Sequence, residues 1–311
     1  ALYYVTIRDR TRMAHHHHPS HGHHFKHDEP VDAKPLGRAF LLISSFMVIE
    51  LVAGLWTNAL VLIADAGHMF LDAAALGLAW WAAKIAARGA DQKRSYGYHR
   101  VQVLAAFING ITLAGLIIGL SIEAVARLLT PEPMMAIPTL LVATAGFVVN
   151  VIAFRLLHSA TDNSNVRSAA LHVLGDLLGS AVAMTAAVAV YFFGWLYADP
   201  ILTLLIVVIL TRGAYRVIKE STHILLEGVP RGVDLAAIRT TLADQVAGVQ
   251  QIHHVHVWGL TEEKPLVTLH ALVEEHASLQ TVMTEIKAVL RDTFNIEHST
   301  VQIEHGQCPD D

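Results

Sequence analysis

Six apolar stretches, Ala39–Trp56, Ala59–Ala83, Val101–Ala126, Ile137–Phe154, Ala169–Trp195 and Pro200–Val217, fill most of the chain between Leu36 and Ile218. Crossing about 30 Å of hydrocarbon takes about 20 helical residues, and all but the last stretch reach or approach that length. The last is interrupted by Arg212 and Arg216, whose side chains can reach the headgroups from a helix end, so it is read as a sixth span. Asp199-Pro200 ahead of it reads as an N-cap followed by proline at the first helical position. Composition points the same way: 53% of the 311 residues are hydrophobic and only 16% charged, where soluble proteins carry about 25%. A net charge of -5 excludes a broadly basic nucleic-acid binder. One cysteine, Cys308, excludes an intramolecular disulfide framework and a Cys-only zinc finger.

An even number of spans puts both termini on one side. The second-to-third connection carries Lys84, Arg88, Lys93, Arg94 and Arg100, and the fourth-to-fifth carries Arg155 and Arg167; the other three hold only Arg127. Positive residues collect on the cytoplasmic side, so both termini and the basic connections are expected there. The polar segment ahead of the first span lacks the short apolar core of a cleavable signal.

After Lys219 the pattern changes. Gly232–Val246, with Leu235, Ile238 and Leu242 on one face and Asp234 as N-cap, predicts a helix. Ile252–Trp258 and Leu266–Val273 predict strands around a polar turn containing Pro265. Ser278–Phe294 returns to helical spacing at Leu279, Val282, Met283, Ile286 and Leu290, and Ser299–Ile303 closes with β-formers. The fold class expected is an α-helical membrane protein of six transmembrane helices with a C-terminal cytoplasmic α+β, ferredoxin-like (αββαβ) domain. Residues 1–35 are expected to form a His-rich flexible cytoplasmic segment, 36–218 the membrane domain and 219–311 a cytoplasmic domain.

Few ionisable residues lie deep in the spans, and two pairs share one form: His68-Met-Phe-Leu-Asp72 and His172-Val-Leu-Gly-Asp176. A separation of four stacks both side chains on one helix face. Each intramembrane Asp costs about 2.5–3.5 kcal/mol on insertion scales, so two pairs need compensation. A divalent cation supplies it. Two imidazole nitrogens and two carboxylate oxygens make a tetrahedral site suited to Zn2+, and the carboxylates neutralise the ion. Metal and protons compete for the same atoms, and imidazole titrates near neutrality, so metal movement can be coupled to proton exchange. The competing reading, two unrelated helix-packing hydrogen bonds, is weakened by finding the pattern twice in separate spans.

Ala64-Asp65-Ala66-Gly67-His68-Met69-Phe70-Leu71-Asp72, Tyr96-Gly97-Tyr98-His99-Arg100, the second HxxxD and Leu225-Leu226-Glu227-Gly228-Val229-Pro230 resemble the cation diffusion facilitator family, and its zinc-transporting branch most closely. The resemblance runs from about Lys34 to Glu304. It implies a homodimeric metal/proton antiporter that exports Zn2+, with His68, Asp72, His172 and Asp176 at the transport site. Histidine rather than aspartate in the first position is the form the family associates with zinc preference over cadmium. The resemblance also implies a cytoplasmic metal site with ligands at His253, His270 and Glu304, and His305 stands beside the last of these. This chain has His254 where the family commonly has Asp, which leaves that ligand set open. Strand alternation puts His253 on one face and His254 with His256 on the other. Arg100 and Glu227 align with charged positions that tie spans together or to the cytoplasmic domain in some members. The short fourth-to-fifth connection, without a long His-rich insertion, leans towards a bacterial inner-membrane protein.

Other candidates are less specific. His15, His16, His17, His18, His21, His23, His24 and His27 make up eight of the 20 histidines and form a tract able to capture metal; the interspersed Pro19, Ser20, Gly22, Phe25 and Lys26 set it apart from an expression tag. Glu50, Asp65, Asn109, Glu123 and Asn150 are cavity-lining or packing groups, His99 is a loop ligand or a structural residue at the helix entrance, and Cys308 reads as a free cytosolic thiol. A membrane metallohydrolase lacks its HExxH or nucleophile motif. A membrane-anchored zinc sensor leaves the intramembrane pairs without purpose. An exporter of broader divalent specificity (Cd2+, Co2+, Ni2+) remains within the same chemistry.

Overall fold

Each apolar stretch folds as one helix. The computed structural model describes residues 34–158, 164–306 and 308, with side chains over 41–156, 173–306 and 308. The eight histidines from His15 to His27 lie outside the described residues. The helices are α1 (Lys34–Thr57), α2 (Leu60–Ala86), α3 (Arg100–Leu129), α4 (Ala136–His158), α5 (Ser164–Phe193) and α6 (Ala198–Leu225). Over their described residues, α2 to α6 are long and apolar enough to cross a membrane, and α1 adds the shorter stretch Leu41–Thr57. Large apolar side chains point outward, Trp80 at 62% and Phe193 at 80% exposure, which water would penalise and lipid favours. The interior is instead built from small residues: Ala64, Ala124, Ala143, Ala183 and Ala187 are fully buried, letting helices approach where no hydrophobic effect drives them together. Arg212 and Arg216 are exposed on the half of α6 nearer the α/β domain, as the reading of α6 as a span requires.

Asp199 corrects one expectation. Its helix starts at Ala198 with Tyr197 at the cap position, so Asp199 does not cap its own helix. Its two oxygens accept instead from the backbone N–H groups of Leu60 and Val61, each at 2.9 Å, and so cap α2 from across the bundle. Arg127 closes the arrangement: its Nη1 donates to Asn58 O at 2.7 Å and lies 3.5 Å from Asp199 Oδ2, and its Nε donates to Glu123 at 2.9 Å. Asn58 takes the left-handed conformation, φ 58°, that turns α1 into α2. The clasp joins three helix ends on the side of the bundle away from the α/β domain.

Beyond α6 come α7 (Leu235–Gln245), β1 (Val249–Gly259), β2 (Pro265–Val273), α8 (Leu279–Phe294) and β3 (His298–Glu304). Asp234 caps α7, accepting from Ala236 N at 2.8 Å. β1 pairs antiparallel with β2, and β2 parallel with β3. Ile238 and Leu242 of α7 and Val282, Ile286 and Leu290 of α8 pack on one sheet face against Val257, Val267, Leu269 and Ala271. Residues directly paired across strands share a face, so His253, paired with His270, lies on the face without helices. The connection between α2 and α3 joins the two parts. His99 Nε2 is 3.3 Å from Lys264 Nζ, the Tyr96 and His298 rings meet edge-on at 5.8 Å, and Arg100 pairs with Glu227 at 3.0 Å. His99 thus stands at a structural contact. Asp91 orders this loop by accepting from the Tyr98 hydroxyl, Arg94 N and Lys93 N, which together hold its carboxyl below the usual range, the Tyr98 hydroxyl most of all.

Candidate metal centres

The first centre lies between α2 and α5. His68 Nε2 sits 3.3 Å from Asp72 Oδ2, the one-turn stacking that a spacing of four dictates. Asp65 lies one turn before His68, and a Cβ on Gly179 of α5 would overlap its carboxylate, so Gly179 leaves the room Asp65 occupies. α2 and α5 run antiparallel. From the Asp65–Gly179 contact, three residues along each helix, about 4.5 Å at 1.5 Å per residue, bring His68 level with Asp176. Four more bring Asp72 level with His172. The His172 side chain lies outside the described residues, although its backbone is helical.

Other helices direct polar groups to the same region. Glu50 of α1, Asp65 and Asp176 are buried at 1%, 4% and 2% exposure and lie within electrostatic range of one another. Asn150 of α4 donates to Ser180 Oγ at 3.3 Å. Among the described residues, Glu50 Oε1, Asp65 Oδ2 and Asn150 Oδ1 have no hydrogen-bond partner. Oxygens buried in that way cost several kcal/mol unless a cation or protons reach them. Of the polar residues noted in the sequence, Glu123 is instead exposed and occupied with Arg127. Replacing Gly179 with alanine should lower thermal stability and transport together by driving Asp65 aside. The stability loss should shrink in an Asp65→Ala background, and a double-mutant cycle on melting midpoints measures the coupling.

The second centre occupies the helix-free sheet face. His253, His254, His270 and Cys308 each offer a ligand atom, all within 4.8 Å of one another. His270 Nδ1 is 2.9 Å from Glu304 Oε1, and His253 Nε2 is 3.0 Å from Glu304 Oε2 without hydrogen-bond alignment. His253, His270 and Glu304 therefore meet. His305 is exposed and stands outside this group. Burial pushes the Glu304 carboxyl up, but hydrogen bonds from Gln302 and Cys308, with His253 and His270 beside it, outweigh burial and hold it below the usual carboxylate range.

His254 departs from strand alternation. Between the pairs His253–His270 and His256–Thr268, two residues of β1 oppose one of β2. This is a β-bulge, and His254 takes it up with φ 46°. The bulge turns the His254 ring to the side of its neighbour, 5.4 Å from the His253 ring and 4.8 Å from that of His270, while His256 stays exposed. Cys308 is free of any disulfide and buried, its sulfur 3.5 Å from His270 Nδ1 and 3.9 Å from His254 Nδ1. A visible sign of the bulge was the odd gap between Ile252 and Val255, both of which reach the core. No local pattern announced Cys308.

Residues 36–226 match the cation efflux transmembrane domain, and residues 230–306 match the cation efflux protein cytoplasmic domain. The zinc transporter ZitB of Pectobacterium atrosepticum is 42% identical over 291 residues, 93% of this chain and 91% of that protein. The cadmium, cobalt and zinc/H(+)-K(+) antiporter of Bacillus subtilis is 35% identical over 284 residues, covering 89% and 91%. The metal-bound C-terminal domain of the CzcD transporter from Cupriavidus metallidurans is 34% identical and covers 23% of this chain and 99% of that one, with a TM-score of 0.22. Two family domains in their order, together covering most of a chain with a six-helix membrane part and an α/β tail, make this protein a member of the cation efflux, or cation diffusion facilitator, family.

Proposed function

We propose that the chain exports Zn2+ from the cytoplasm in exchange for protons, by alternating access to an intramembrane site of His68, Asp72, His172 and Asp176. The observation that carries the reading is the meeting of α2 and α5 at Asp65 and Gly179, which brings the two HxxxD turns level with each other inside the bundle. The identity to a protein named as a zinc transporter supports the choice of ion. Two carboxylates balance the dication; when the site opens to the other side, protons take the ligand atoms and the ion leaves. Glu50 and Asp65 add carboxylates able to carry protons beside it. The protein works as a homodimer in a bacterial inner membrane with both termini in the cytoplasm, and its activity is transport rather than catalysis. A second, resident Zn2+ sits in the cytoplasmic domain at the place where His253, His270 and Glu304 meet.

A broader range of dications is the second reading, favoured by the relative named for cadmium, cobalt and zinc. Proteoliposomes with a pH-sensitive dye decide both: Zn2+ addition should drive proton movement, and Cd2+ and Co2+ should drive less. Equal fluxes favour the second reading, and zinc binding without proton flux favours a sensor.

The N-terminal histidines then serve as a low-specificity collector at the cytoplasmic mouth. Removing residues 15–27 should raise the apparent KM for zinc more than it lowers maximal flux. An unchanged KM would remove the collector role.

A further inference from the structure

We infer that Cys308 is a thiolate ligand of the metal site in the α/β domain, making that site a three-histidine, one-sulfur centre of His253, His254, His270 and Cys308. The inference rests on reading this cluster as a metal site and specifies which atoms hold the ion. Tetrahedral zinc with Zn–S near 2.3 Å and Zn–N near 2.05 Å requires sulfur-to-nitrogen edges of about 3.6 Å. The Cys308 sulfur lies 3.5 Å from His270 Nδ1 and 3.9 Å from His254 Nδ1, close to those edges. Glu304 Oε1 lies only 2.9 Å from His270 Nδ1, a hydrogen-bond distance and shorter than the oxygen-to-nitrogen edge of about 3.3 Å that two ligands of one zinc would span. Glu304 Oε1 is also 3.4 Å from the Cys308 sulfur, so the carboxylate stands beside both of these ligand atoms and supplies negative charge there. Glu304 is 7% exposed and aims its Oε2, which has no hydrogen-bond partner among the described residues, at the His253 ring. The charge closes as well: one thiolate and three neutral imidazoles leave a dication at +1, and Glu304 brings the pocket to zero. The sulfur selects thiophilic ions, Zn2+ and Cd2+, over hard ones such as Mg2+.

Cys308 is the sole cysteine of the chain, which makes the test unambiguous. The purified full-length protein is titrated with Co2+ and its near-ultraviolet absorption followed. A sulfur-to-cobalt charge-transfer band can come only from Cys308, because the intramembrane candidates offer nitrogen and oxygen alone. The band should appear at saturation, disappear in Cys308→Ser, and be displaced by Zn2+, which should also slow alkylation of Cys308 at least about tenfold. If bound Co2+ falls in a His253→Ala/His270→Ala variant but the wild type shows no charge-transfer band, the domain binds metal without sulfur and the inference is overturned. If that double variant binds as much Co2+ as the wild type, the reading of the cluster as a metal site fails and the inference fails with it.

Discussion

Replacing Asp176 with alanine is expected to abolish zinc-driven proton flux in proteoliposomes while the protein still inserts and purifies as a folded species. Asp176 is buried at 2% exposure on the α5 face that meets α2, within electrostatic range of Asp65 and Glu50. In the proposed site, its removal takes away one of two charges balancing the dication and one of four ligand atoms. Neither loss is recovered from lipid, and the remaining three ligands leave an uncompensated positive charge in a low-dielectric site. Folding should tolerate the change better than transport does, because alanine is a good helix residue and the small-residue packing around it is unaffected. His68→Asp is the informative companion. It keeps a donor at that position but changes an imidazole to a carboxylate, so transport should persist with a larger share of Cd2+. Flux from Asp176→Ala equal to that of the wild type would remove this residue from the pathway.

Asp199→Ala should produce the largest loss of stability of any single change outside the metal centres. The substitution removes both acceptors from the N-terminus of α2 and strands Arg127, whose side chain is 8% exposed, beside three helix ends. Breaking a buried ion pair by deleting one partner costs about 3–5 kcal/mol, and the lost cap adds about 1 kcal/mol. Asp199→Asn should fall between, because its amide offers one acceptor oxygen to two N–H donors. The check is the thermal unfolding midpoint of purified protein in detergent, expected in the order wild type, Asn, Ala. A midpoint for Asp199→Ala matching the wild type would show that the clasp contributes nothing.

Periodicity carried the architecture. All six spans and the αββαβ order were legible because each depends on a repeat of 3.6 or 2 residues within a short window. The misreadings are of another kind. Asp199-Pro200 matches a local capping pattern perfectly well, yet the carboxylate is used by a helix more than a hundred residues away, and no window contains both ends of that contact. His254 was placed by alternation, and alternation fails where one extra residue enters a strand. The gap between Ile252 and Val255 held that information, since both had to reach the core. Cys308 follows the last strand, and its approach to His254 and His270 depends on the path of the tail. The intramembrane HxxxD turns were the easiest to find, because a charged residue in an apolar span is costly wherever the fold puts it.

Zinc anomalous-difference mapping on crystals of the purified dimer tests the central claim most directly. The account predicts a peak between α2 and α5, within bonding distance of His68, Asp72, His172 and Asp176, in addition to any in the α/β domain. Density confined to the α/β domain, with the two HxxxD turns facing apart and no ion between them, would contradict it.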